Sequence, residues 1–268
     1  MTDGAELHTV WDVVGAVRVR GRVNDRALAH DERAPHAVFV HGLGMATNYL
    51  EPTMRALGDA MPVSALDLPG FGRSRPVRGH LSLAALADAL ADWLRVRGIV
   101  APILFGQSHG CQVVVEAVTR APDVASAIVL NAPTMLAGHR SIGAQLWRVV
   151  LDTPREPLTL VPHVARDYLR AGPARILATL QDALRDRIED KLPNVRVPVT
   201  IVTGARDPVS PAAWGERLAG LVGSRGGAGA RFVVVPGAAH AVPFSHPQAL
   251  AAEIMAMAAR SGVGPVDR

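Results

Sequence analysis

Apolar and polar positions follow two rhythms along this 268-residue chain. Short β-branched runs of the kind that fill buried strands recur: "HAVFV", "PVSALDL", "APILFG", "ASAIVLNAP", "VPVTIVTG" and "ARFVVVPG". Between them stand longer stretches with an apolar residue every three or four positions. The clearest is "LSLAALADALADWLRVRG", which reads as an amphipathic helix stopped by Gly98. The opening "TVWDVVGAVRVRGRV" predicts an antiparallel ribbon. "HPQALAAEIMAMAA" predicts a closing helix with Pro247 in its first turn, where a missing N–H is tolerated.

Strand, helix, strand in repetition predicts an α/β protein with a mostly parallel, doubly wound sheet. The rhythm breaks once. From residue 134 to 193 helical patterns follow one another without a strand. That stretch is expected to be an all-helical cap over one sheet edge, with residues 1–133 and 194–268 forming the core. "GSRGGAGA" reads as a surface loop, and no internal repeat is visible.

Composition narrows the class. With 49% hydrophobic residues the chain can bury one large core, and with 4% aromatics that core must be mainly aliphatic. The net charge is +4, and Lys191 is the only lysine. The arginines are scattered rather than blocked, which points to a GC-rich coding habit and away from nucleic-acid binding. Cys111 is the only cysteine, so no internal disulfide can form. The N-terminus lacks a signal-peptide pattern and no apolar run reaches 18 residues, so no membrane insertion and a cytoplasmic location are expected.

The chemistry gathers after strands. In parallel sheets the loops at the carboxyl ends of strands form the ligand edge. Ser108 follows "ILFG" inside Gly-Gln-Ser-His-Gly, at a strand-to-helix turn. Asp207 follows "TIVTGAR", and His240 follows "VVVPGAA". A serine hydroxyl is a poor nucleophile near neutral pH. It needs a base within reach and the base needs an acceptor, roles that His240 and Asp207 can fill. The order Ser, Asp, His with a Gly-x-Ser-x-Gly turn is the pattern of a nucleophile elbow. Acyl transfer also needs N–H groups aimed at a developing oxyanion. The His109 N–H, next to the serine, and the Leu43 N–H, in "VHGLG", are the candidates, with His41 structural in that turn.

On these segments, together with "LDLPGFGRS", "GARDPVSP" and "GAAHAVPFSHP", the sequence resembles the α/β-hydrolase fold superfamily over nearly its whole length. The resemblance implies Ser108 as nucleophile, Asp207 as acid, His240 as base, Leu43 and His109 as oxyanion donors, and a helical lid near residues 134–193. It implies no cofactor and a small-molecule ester as substrate. Asp67 would organise a loop. Asn131 occupies the slot where some members of the superfamily place the acid, and it cannot carry the charge.

Other residues are expected to play lesser parts. Met135, Leu136, Trp147 and Tyr168 are candidates to line a pocket, with Leu151 beside them and arginines such as Arg140, Arg148 and Arg170 interspersed. Each of these apolar residues could equally be cap core. Cys111 should pack, His246 should cap a helix, and His139 and His163 should be exposed or packed. No Cys/His/Asp/Glu group has metal-ligand spacing, and no dinucleotide fingerprint is present. Two other reactions and one non-enzymatic role stay open. The layout is similar to meta-cleavage product hydrolases, which split carbon–carbon bonds, although Ala241 stands where those enzymes have tryptophan. Perhydrolases share the same triad, and a ligand-binding module with weak turnover would keep the fold.

Overall fold

The computed structural model describes residues 5–29, 34–75, 77 and 79–261. Eight strands form one sheet: β1 (Leu7–Val14), β2 (Val17–Asn24), β3 (Ala37–Val40), β4 (Val63–Leu66), β5 (Ile103–Gln107), β6 (Ala127–Asn131), β7 (Val199–Gly204) and β8 (Ala230–Val235). Their order is β1-β2-β4-β3-β5-β6-β7-β8. The opening ribbon β1–β2 is antiparallel and joins β4 antiparallel; every later pairing is parallel.

The helices before β6 are α1 (Asp25–Leu28), α2 (Glu51–Ala56), α3 (Leu83–Val96) and α4 (His109–Arg120). Between β6 and β7 lie α5 (Ile142–Asp152), α6 (Val161–Ala171), α7 (Pro173–Arg185) and α8 (Ile188–Lys191), with short 3-10 turns and no strand. The chain then runs through α9 (Ala212–Leu221), α10 (Val242–Ser245) and α11 (Pro247–Arg260). Ser82 caps α3, its side chain accepting from the Ala85 N–H at 3.2 Å, and Gly98 just past the helix end takes φ +64°.

Period-two alternation sorts the strands into two cores. Val38, Val40, Leu104, Ile128, Leu130 and Ile201 face α3, α4 and α9. Ala37, Phe39, Ile103, Phe105, Val129 and Val202 face α2 and α11 on the other side. Both faces of β3 to β7 are covered, which is why those strands read as continuous apolar runs. Each large side chain buried there, such as Trp93 or Phe105, contributes roughly 1.5–3 kcal/mol.

A buried ion pair ties the ribbon to the ligand edge. The Asp67 carboxylate, wholly buried, accepts from the Thr47 N–H at 2.8 Å and the Arg73 N–H at 2.9 Å. It also pairs with Arg20 at 3.3 Å, and Arg20 donates in turn to Thr47 Oγ1 at 3.1 Å. These bonds pin the loops after β3 and β4 to one another. Replacing Asp67 with alanine would strand the Arg20 charge in the core. Asp67→Ala is expected to lose about 3–5 kcal/mol of stability, read from equilibrium urea unfolding.

Candidate active site

Strand β5 ends at Gln107 beside Asn131 of β6, and the Ser108 N–H donates to the Asn131 carbonyl at 2.9 Å. Ser108 then turns sharply, at φ +57° and ψ −119°, and α4 starts at His109. That backbone region is costly for an L-residue and is kept only where packing enforces it. The flanking glycines show how. A side chain on Gly106 would strike the Gly110 carbonyl, and one on Gly110 would strike the carbonyls of Val40 and His41. Helix α4 can therefore lie directly against the end of β3, and its first N–H groups are left without internal partners.

The loop after β3 lies against the serine: a Cβ on Gly42 would sit 3.3 Å from Ser108 Cβ. Leu43 occupies the turn closed by the Met45 N–H on the Gly42 carbonyl at 3.2 Å. His41 holds this turn to the next loop. Its Nδ1–H donates to the Gly42 carbonyl at 2.8 Å, and its Nε2 accepts from the Leu68 N–H at 3.0 Å. Burial lowers the His41 pKa, which matches this neutral tautomer. Burial also drives His109 down to about 4, with His41 adding to the effect, so the His109 ring is a neutral packing element.

His240, in the loop after β8, meets Asp207, in the loop after β7. His240 Nδ1–H donates to Asp207 Oδ2 at 2.9 Å. Asp207 Oδ1 accepts from the N–H groups of Val209 and Ser210 at 2.7 and 2.9 Å, which orients the carboxylate. Burial disfavours the imidazolium, but Asp207, Asp152 and Glu156 outweigh it and raise His240 to about 9.

A polar relay joins the serine turn, the loop after β3 and the histidine loop. Tyr49 Oη accepts from the Gly42 N–H at 2.9 Å and donates to Gln107 Oε1 at 2.7 Å. The Gln107 Nε2–H donates to the His240 carbonyl at 3.3 Å. Gln107 is only the variable position of the Gly-x-Ser-x-Gly turn in sequence, and Tyr49 lies in no motif, so neither was anticipated.

The helical stretch between β6 and β7 adds two more unforeseen residues. Glu156 Oε1 accepts from the Ala241 N–H at 2.6 Å. Asp152, the last residue of α5, lies beside it, and both carboxyls bear on His240. A carboxylate at a helix C-terminus opposes the helix dipole, and that was the available signal for Asp152.

The pocket candidates scatter. Tyr168 lies over the turn after β3, its ring 2.9 Å from where a Gly44 Cβ would be. Met135 is buried just after β6 at φ +64°. Leu136 packs with the core cluster around α4, whereas Trp147 is 62% exposed on α5. Arg140 is committed to Glu189, and Arg148 to the Pro208 carbonyl at 2.6 Å. His163 stacks edge-on against Phe244 at 5.5 Å. His246 departs from expectation. It occupies the N-cap position of α11 but its side chain makes no capping bond, turning instead to Ser245 Oγ at 2.9 Å. Among the described residues no group of His, Cys, Asp and Glu is arranged to hold a metal, and no helix is long and apolar enough to cross a membrane.

A fold with this sheet order, an elbow serine and a His–Asp pair on the carboxyl edge is that of a hydrolase of the α/β class. Residues 37–253 match the alpha/beta hydrolase family, and the chain belongs to it. It is similar to the pimeloyl-[acyl-carrier protein] methyl ester esterase of Neisseria meningitidis serogroup B, 30% identical over 80% of this chain and 89% of that protein. It also resembles the polyketide synthase ThaQ of Burkholderia thailandensis, at 27% identity over 84% of this chain but only 12% of that protein. Among solved structures, the enol-lactonase of Burkholderia xenovorans LB400 superposes with a TM-score of 0.78, at 18% identity over 93% of this chain and all of that one. A thermophilic esterase of Thermogutta terrifontis gives a TM-score of 0.71 at 19% identity, over 96% of this chain and 99% of that one.

Removing the relay amide would leave the buried Tyr49 hydroxyl without its acceptor. Gln107→Ala is expected to cost about 1–3 kcal/mol in urea unfolding, with the sheet content unchanged by circular dichroism.

Proposed function

We propose that this chain is a serine hydrolase that cleaves a small or medium-sized ester through Ser108, His240 and Asp207, without a cofactor. The observation that carries the reading is the strained Ser108 at a strand-to-helix turn, on the same sheet edge as a histidine oriented by a buried carboxylate. The esterase named among the relatives supports an ester as the bond attacked.

In this reading His240 Nε2 takes the proton of Ser108 as the hydroxyl oxygen attacks the ester carbonyl. Asp207 fixes the Nδ1–H tautomer and stabilises the imidazolium. The N–H groups of His109 and Leu43 receive the oxyanion. His240 then protonates the departing alcohol, leaving an acyl group on Ser108. A water activated by the same imidazole releases the acid and restores the serine. In this reading residues 134–193 form the cap over this edge, and Tyr168, whose ring lies against Gly44, meets the acyl chain with Met135.

The test is hydrolysis of p-nitrophenyl esters from acetate to decanoate, with fluorophosphonate labelling of the serine. Ser108→Ala is expected to abolish labelling and to lower kcat by about 10⁴-fold or more, with near-ultraviolet circular dichroism unchanged. Equal turnover in the variant would overturn the assignment. Asp207→Asn is expected to lower kcat about 10⁴-fold while labelling persists slowly, since the wrong imidazole tautomer is then favoured.

A further inference from the structure

His240 is held from two sides. Below, Asp207 binds its Nδ1–H, and Gln107 holds its carbonyl. Above, the end of α5 and the turn that follows bring down two acidic side chains four residues apart. Glu156 Oε1 accepts the N–H of Ala241, the residue directly after the histidine, at 2.6 Å. Asp152 is buried, and its carboxyl faces the His240 N–H and meets the Glu156 carboxyl. One oxygen of each, Asp152 Oδ1 and Glu156 Oε2, is buried without a hydrogen-bond partner. Two carboxyls this close and out of water disfavour each other's ionisation.

We propose that Asp152 and Glu156 are positioning residues for His240, reaching from the helical stretch above it to fix the backbone of the His240–Ala241 loop and to set negative charge beside the imidazole. The inference rests on the reading of His240 as the base. The direction of the electrostatic effects agrees with the geometry. Burial raises Asp152 to about 7 and raises Glu156 as well. The charged groups that bear on His240 are Asp207 from the sheet and Asp152 and Glu156 from above; burial opposes them, and the net result is a raised pKa.

The sign for catalysis follows. Serine attack needs the neutral imidazole in the free enzyme, so kcat/KM climbs as pH rises through the His240 pKa. Carboxylates near a base favour its protonated form. Removing them moves the rising limb to lower pH and increases the neutral fraction at pH 7. Because Asp152 and Glu156 stand on a different part of the chain from Asp207, this share of the effect depends on the helices above the site being seated.

The test uses isosteric amides, which keep an oxygen to accept the backbone N–H groups: Asp152→Asn, Glu156→Gln and the double variant. The His240 imidazole is titrated by NMR in a Ser108→Ala background, where no turnover is needed. The double variant is expected to lower the midpoint by about one pH unit or more, each single variant moving it the same way by less. In the protein with its serine, the rising limb of kcat/KM should shift equally, with about a tenfold gain at pH 7 for a one-unit shift. An unmoved NMR midpoint in folded variants would falsify the inference, and the single variants decide the matter if the double variant does not fold. A midpoint that drops while the kinetic limb stays put would support the inference and instead overturn His240 as the base.

Discussion

Close approach of helix α4 to strand β3 is the constraint on which the site depends. Gly110 has no side chain, so the helix start lies against the carbonyls of Val40 and His41, and Gly106 lets the strand end turn under it. Ser108 is thereby forced to φ +57° with its own N–H fixed on β6. A strained residue persists only where its surroundings over-determine it. The same closeness sets the β3 loop beside the serine, so one packing decision places both Ser108 and the turn that holds Leu43.

Around that contact the structure uses polar ties rather than bulk. Asp67 and Arg20 bind the loops behind the elbow, while Tyr49 and Gln107 link Gly42 to the His240 carbonyl. These groups are buried and, Arg20 Nε apart, paired, and a paired network in a low-dielectric interior is rigid. The floor of the site therefore behaves as one body built from loops of several strands. Its upper side is different in kind: amphipathic helices with exposed Leu146, Trp147 and Leu169, joined to the floor through Asp152, Glu156 and Tyr168.

Much of this was legible in the residues, for physical reasons. Strands covered on both faces must be apolar throughout, so "HAVFV" and "TIVTG" announce themselves, and a polar residue just past such a run lies on the ligand edge. Ser108, Asp207 and His240 could be picked out that way. Interactions set by tertiary packing could not. Gln107 is any residue in the motif, and its importance comes from where Tyr49 and His240 fall in space. Trp147 and Tyr168 sit alike on amphipathic helices, yet one faces water and the other covers Gly44. Asp152 and Glu156 lie in a helical stretch whose docking no local pattern specifies. His246 has the right position for a cap, but a neighbouring hydroxyl captures its ring.

The chain's single thiol sits beneath the elbow. Cys111 is fully buried, its Sγ–H donating to the carbonyls of Gly106 at 3.1 Å and Asn131 at 3.2 Å, and burial pushes its pKa well up. A thiol reacts as the thiolate and only when exposed. Alkylation of the native protein therefore requires α4 to lift from β5 and β6. Its rate becomes an intrinsic gauge of how often the seat of Ser108 comes apart, with no label to install and no second cysteine to confuse the signal.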